Sequence, residues 1–180
     1  MNPSIPTCNP SGVQKQIRRM TLADVPQVAE IDRLSFSLPW PERSFRFEVT
    51  ENPVSRGWVV EVEGRVVAML VLWLIVDEAH IATIAVHPDF RRQGIGEEIL
   101  FQSLVAAQEE GARRAFLEVR IGNTVAQAMY KKYGFVVDGV RPKYYKDNNE
   151  DAILMSLDNL EIDVLRSRMR PPVNSRTEQI

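Results

Sequence analysis

One cysteine, Cys8, and two histidines, His80 and His87, are all this 180-residue chain carries of the side chains that build disulfides and most zinc sites. A lone thiol closes no intrachain bridge, and no Cys/His group has metal-ligand spacing, so neither a disulfide scaffold nor a metal centre organises the chain. No metal is expected. Charge of one sign is missing too: 22 Lys and Arg stand against 24 Asp and Glu, a formal net charge of -2. That balance removes the bulk electrostatic argument for nucleic acid or an anionic membrane. Long hydrophobic runs are also absent. The longest uncharged apolar stretch, Val66 to Val76, is about half of the ~20 residues that span a bilayer. The proline-containing N-terminus lacks the charged-then-apolar pattern of a secretory signal. A cytoplasmic setting, reducing and without membrane contact, is the expectation.

What is present is 44% hydrophobic and 26% charged residues over 180 positions, enough for one well-buried core. Residues 1–14, with Pro3, Pro6 and Pro10 and no periodicity, read as a flexible leader. Residues 15–158 read as the folded domain. Residues 159–180, with Arg166, Arg168, Arg170, Pro171, Pro172 and Arg176, read as a solvated or helical extension. It lacks interleaved aromatics, so direct nucleic-acid binding is not expected. No internal repeat is visible.

Gln16 to Arg19 reads as a short strand, followed by a helix capped by Thr21 and running through Val25, Val28, Ile31 and Leu34. An aromatic loop, Ser35 to Pro41, separates it from a second helix. Trp58 to Val62 and Val66 to Val76 read as strands joined at Glu63-Gly64-Arg65, the second apolar on both sides and therefore interior. Ala79 to Val86 would neighbour it. A helix through Ile95, Ile99, Leu100, Leu104 and Ala107 ends at Gly111. The strand Arg114 to Arg120 precedes a helix capped by Asn123 and stopped by Gly134, and Phe135 to Tyr145 and Asp151 to Leu157 form a closing pair.

The turn between Val86 and Ile95 concentrates signals. Pro88 makes continued strand pairing improbable, and Arg91, Arg92, Gly94 and Gly96 stand at the start of a helix whose first amides have no intrahelical partner. A positive dipole end with close backbone approach suits a phosphate or pyrophosphate. A P-loop would need Lys and Ser/Thr after its last glycine, where Glu97 and Glu98 stand, and a dinucleotide loop a small residue at Ile99. Taken alone, the glycines could equally do no more than shape a strand-to-helix turn.

Arg91-x-x-Gly94-x-Gly96 after the strand Thr83 to Val86 resembles the acyl-CoA loop of the GNAT superfamily of N-acetyltransferases. The family's order continues in Leu117-Glu118-Val119-Arg120, Asn123, Tyr130 and Tyr133-Gly134-Phe135, and the resemblance, over roughly Gln16 to Leu157, is nearest the RimI-type ribosomal-protein alanine N-acetyltransferases. It implies a single α/β (α+β) domain with a mixed, mostly antiparallel sheet of about six to seven strands and about four helices on both faces. It also implies acetyl-CoA as cosubstrate and a protein or peptide N-terminus, such as the N-terminal alanine of a small-subunit ribosomal protein, as acceptor.

By the same resemblance, Glu118 is the general base and Tyr130 the acid that protonates the departing thiolate. Main-chain groups of Ile84, Ala85 and Val86 receive the pantetheine arm. Arg91, Arg92, Gln93, Gly94, Ile95, Gly96 and Glu97 wrap the pyrophosphate, and Asn123 contacts the cofactor arm. Phe36, Leu38 and Trp40, with Tyr144 and Tyr145, resemble the peptide-gripping walls. From the residues alone, Glu118 could equally be a solvent-facing strand residue, Tyr130 a core aromatic, and Phe36 and Trp40 a staple between helices. Tyr144 and Tyr145, if in a regular strand, would face opposite sides. The alternatives to peptide acetylation are a small-amine acetyltransferase and a non-catalytic acyl-CoA-binding domain.

Overall fold

The computed structural model describes residues 5–8 and 14–169. The elements are β1 (Ile5–Cys8), β2 (Gln14–Arg19), α1 (Val25–Ser35), α2 (Glu42–Thr50), β3 (Ser55–Val62), β4 (Arg65–Ile75), β5 (Glu78–Val86) and α3 (Ile95–Glu109). They continue with β6 (Arg114–Arg120), α4 (Thr124–Lys132), β7 (Val136–Tyr145), β8 (Glu150–Leu157) and α5 (Ile162–Met169). β4 holds the two faces together: Met69 and Val71 join a cluster with Val25, Val28, Ile31 and Phe45, while Leu70 and Leu72 join one with Ile99, Leu100 and Leu104. The period of two in a strand sends alternate apolar side chains to opposite faces, so a strand apolar at every position must be covered on both. α1 and α2 therefore lie on one face, and α3, α4 and α5 on the other.

The strand order is β1-β2-β3-β4-β5-β6-β8-β7 in one eight-stranded sheet. Every neighbouring pair is antiparallel except β5 and β6. This is the mixed α/β arrangement the sequence implies, with one strand and one helix more. The extra strand is β1: Ile5–Cys8 falls in the stretch expected as a leader but pairs antiparallel with β2, Ile5 opposite Ile17. An edge strand offers a row of unpaired backbone groups, and proline is tolerated there, so Pro6 does not prevent the pairing. The extra helix is α5, expected to lie outside the domain. Leu160 and Leu165 are buried in the main core, and the Leu160 amide donates to the Arg113 carbonyl at 2.9 Å. Arg170, Pro171, Pro172 and Arg176 lie outside the described residues.

α1 departs from its expected face. Leu34 is 39% exposed, whereas Asp32 is 1% exposed and takes its place beside Val28 and Ile31. Among the described residues no helix is long and apolar enough to cross a membrane.

Candidate active site

β5 and β6 pair only from Glu78 opposite Arg114 to Ile81 opposite Leu117. β5 continues against β4 as far as Val86 opposite Ala68, and β6 against β8 as far as Arg120 opposite Ala152. A register shift opposite Val71 and Leu72 leaves Ala82 as an extra residue in β5, which bends the strand at this level. The two parallel strands therefore part at their carboxyl ends and leave a wedge-shaped opening. In open α/β sheets such a crevice is where ligands bind. α3 begins after β5 and α4 after β6, so both helix N-termini stand at the same end.

The α3 turn is built by backbone conformation. Arg92 has φ +60°, and Gly94, the N-cap, φ +78°, a left-handed conformation that glycine adopts without a Cβ penalty. No side chain caps the helix, and Glu98 is the residue whose amide reaches the Gly94 carbonyl, at 3.0 Å. A Cβ on Gly96 would meet Val86 at 3.5 Å and Met129 at 3.8 Å, ordinary contact, so packing alone does not demand glycine there. The two acids of the first turn are partnered from outside: Glu98 by Lys15 of β2 and Glu97 by Lys132 of α4. Their charge near an anion-binding turn is thereby offset. Arg91 behaves differently from its neighbour: its Nε donates to the Val86 carbonyl (2.9 Å) and its guanidinium reaches Ser35 Oγ (3.0 Å). It braces the end of β5 against α1. Arg92 remains exposed. Asn123 Oδ1 accepts from the Ala126 amide at 3.1 Å and caps α4 as expected.

Across the opening, β6 alternates as its sequence requires, with Leu117 and Val119 buried and Phe116, Glu118 and Arg120 on the other face. Glu118 is 28% exposed in its side chain and ion-paired with Arg141 of β7. Its carboxylate, within hydrogen-bonding reach of the Tyr144 hydroxyl, pushes that phenol above its ordinary range. Burial pushes the Tyr145 phenol up to about 12. Tyr130 is 4% exposed, stacks edge-on with Phe135, and is pushed well up by burial and by the nearby Tyr145 phenol. A phenol so held stays protonated at neutral pH.

Tyr144 and Tyr145 do not face opposite sides. Their rings meet edge-to-face with centroids 5.2 Å apart. The cause is local: Lys143 takes φ +53°, its amide donates to Asp151 Oδ1 at 2.7 Å, and the β7–β8 register shifts between Arg141 and Tyr145. The aromatic loop divides differently from expectation. Trp40 packs on Phe45 with ring centroids 5.3 Å apart, and its amide donates to the buried Asp32 Oδ2 at 2.7 Å. With Phe36 it packs, partly buried, against the α1–α2 core. Trp40 also lines a cavity of about 430 Å³ with Arg43, Ser44, Phe47, Glu48 and Trp73, none of which belongs to the Glu118 cluster. Leu38 is 60% exposed.

Residues that the sequence did not single out complete this side: Ser37, Asp32, Arg120, Arg141 and Asp147. Only Asp32 carried a usable signal, an acid four residues after Val28 on the apolar stripe of α1. Desolvation raises its carboxyl from the ordinary 3.8 to about 6, and the Trp40 amide offsets this in part.

The pattern of the Acetyltransferase (GNAT) family matches residues 25–135. A Bacillus subtilis (strain 168) protein, named as a candidate ribosomal protein bS18-alanine N-acetyltransferase, is 40% identical over 139 residues, covering 77% of this chain and 92% of its own. The ribosomal protein bS18-alanine N-acetyltransferase of Escherichia coli (strain K12) is 32% identical over 143 residues, covering 78% and 95%. The crystal structure of the ribosomal-protein-S18-alanine N-acetyltransferase from Escherichia coli superposes with a TM-score of 0.74 at 31% identity, over 79% of this chain and 92% of that one.

Proposed function

Because this chain belongs to the GNAT family of acetyltransferases, we propose that it is a cytoplasmic, acetyl-CoA-dependent N-alpha-acetyltransferase whose acceptor is a protein N-terminus, with the N-terminal alanine of ribosomal protein bS18 as the leading candidate. The relatives' names support the acceptor. The observation that supports the reading is the parting of β5 and β6 beyond Ile81 and Leu117, which leaves Glu118 immediately past the last paired residue of β6 and the α3 turn after the end of β5.

The chemistry follows from that arrangement. The amides of the α3 turn, from Gly94 to Glu97, and the exposed Arg92 hold the pyrophosphate, while the side-chain NH2 group of Asn123, whose Oδ1 caps α4 and whose main-chain amide donates to the Arg120 carbonyl, is offered to the cofactor arm. Backbone groups of Ile84, Ala85 and Val86 lie along the strand edge where the pantetheine arm and the thioester carbonyl fit, and a strand amide there would stabilise the tetrahedral oxyanion. Arg91 keeps Val86 in position. The incoming α-ammonium displaces Arg141 from Glu118 and loses a proton to that carboxylate, directly or through a water. The neutral amine attacks the thioester carbon. As the C–S bond breaks, Tyr130 passes its hydroxyl proton to the thiolate, the tetrahedral nitrogen releases its second proton to water, and the phenol is restored from water, leaving an N-acetylated chain and free CoA. An α-amine, with reference pKa about 7.7 to 8.0, costs about 3 kcal/mol less to deprotonate at neutral pH than a lysine at about 10.4, so one glutamate suffices.

The test uses two matched peptides and acetyl-CoA, read by mass spectrometry: one with a free alanine terminus, the other with that terminus blocked and an internal lysine free. Modification confined largely to the free terminus is expected. Faster modification of the blocked, lysine-bearing peptide would overturn the assignment.

A further inference from the structure

One guanidinium on β6 touches both loops that overhang the candidate site. Arg120 lies two residues beyond Glu118 and so on the same face of the strand. Its NH2 group donates to Asp147 Oδ2 at 2.9 Å and Oδ1 at 3.0 Å, and its NH1 group to Glu150 Oε2 at 3.1 Å and Asn148 Oδ1 at 3.2 Å. Its carbon centre lies 3.9 Å over the Tyr145 ring. Asp147 in turn accepts from Ser37 Oγ, in the loop between α1 and α2, and Ser37 Oγ accepts from Arg120 at 3.4 Å. Glu150 Oε1 accepts from the Gly122 amide at 2.7 Å, which fixes the base of the β7–β8 turn to the end of β6. Among the described residues, the hydrogen bonds that join the α1–α2 loop to the β7–β8 turn run through this Ser37–Asp147–Arg120 group. The Arg120, Asp147 and Glu150 side chains are only 23%, 15% and 18% exposed, so the pairs are partly shielded from water. Arginine suits the task because its planar fork binds a carboxylate in two places and stacks on an aromatic face at once.

We propose that Arg120, Asp147 and Ser37 form a clasp that holds the α1–α2 loop and the β7–β8 turn at a fixed separation above Glu118, making Arg120 and Asp147 positioning residues for the peptide chain entering between them. This rests on the acceptor being a peptide. A chain terminus threads the held gap, and residues following the terminus gain from walls already in place, because the ordering of both loops precedes binding. An acceptor with nothing beyond its first residue gains nothing from the gap.

The test compares Asp147→Ala, Ser37→Ala and Asp147→Glu with the wild type, at saturating acetyl-CoA, on an alanine-terminated peptide and on alaninamide. Asp147→Ala is expected to raise the peptide KM about tenfold with kcat within about twofold, and to leave kcat/KM for alaninamide within about twofold. Ser37→Ala should follow in the same direction, and Asp147→Glu should recover part of the loss. Equal losses on both acceptors, or an unchanged peptide KM, would overturn the clasp. Hydrogen exchange on the protein alone supplies the second measurement. Asp147→Ala should speed exchange at Ser35–Trp40 and Lys146–Asn149, and unchanged exchange there also overturns it. Since exchange needs no substrate, a wild type that ignores the peptide sinks the functional reading, while the clasp is judged separately.

Discussion

On the β5 side of the opening the groups offered to a ligand are backbone amides, along Ala82–Val86 and at the α3 turn. On the β6 side they are side chains: Glu118, Tyr130, Tyr144 and Tyr145, with Arg120 and Arg141 behind them. The first side is one continuous stretch of chain whose shape is set by Pro88, Gly94 and a left-handed Arg92. The second gathers β6, α4, β7 and the β7–β8 turn, segments far apart in sequence. A site made of amides is indifferent to most side-chain chemistry and sensitive to anything that fills space or changes φ. One made of acids, phenols and guanidiniums is sensitive to the loss of a single proton or charge. On the proposed reading, the fold separates holding a cofactor from moving protons.

The largest effect expected from breaking this division is on turnover. Glu118→Gln removes the proposed base and keeps the shape, and should lower kcat on an alanine-terminated peptide by roughly 10²- to 10⁴-fold. Tyr130→Phe should fall in the same direction by less, because solvent can protonate the departing thiolate, whose reference pKa is about 8.5. Steady-state kinetics across pH 6 to 9 checks both. A wild-type kcat for Glu118→Gln over that range would remove Glu118 from the mechanism.

A smaller effect sharpens the account of the loop above the side-chain bank. Asp32 is buried with its carboxyl raised from 3.8 to about 6. The native state therefore binds this proton more tightly than the unfolded chain, and the stability so gained is full below pH 4 and lost as pH rises through about 6. Asp32→Asn stays neutral and keeps an acceptor for the Trp40 amide. Relative to wild type, its unfolding free energy should improve by ~1–3 kcal/mol between pH 4 and pH 7. Urea denaturation at a series of pH values measures this, and a difference that does not change with pH contradicts it.

The same division explains what could be read from the sequence. The α3 turn, the Asn123 cap and the β6 alternation were legible because proline, glycine, asparagine and a period of two act within a few residues. The double burial of β4 was legible from an apolar run with no polar face. Ser37, Arg120 and Asp147 meet across 83 and 27 residues, and no local pattern encodes such a meeting. Nor did local rules place Tyr144 and Tyr145 together, since that depends on the left-handed Lys143 and its contact with Asp151. Phe36 and Trp40 admit two readings in the sequence, because an aromatic loop looks alike whether it faces a ligand or packs between two helices. In the structure the Asp32 carboxylate accepts from the Trp40 amide. Arg91 and Arg92 are adjacent in the sequence, yet Arg91 binds the Val86 carbonyl and Ser35 while Arg92 is exposed.

The separation of the two banks is tested most directly by calorimetric titration of acetyl-CoA into three folded proteins: wild type, Gly96→Glu and Glu118→Gln. Gly96→Glu sets a bulky acid beside the α3 amides and should weaken binding by about 100-fold or more, as expected when backbone amides and a helix terminus no longer reach a phosphate. Glu118→Gln should bind within about twofold of wild type, a change of less than ~0.5 kcal/mol. An unaltered affinity in Gly96→Glu, or a loss in Glu118→Gln matching that of Gly96→Glu, would contradict the account.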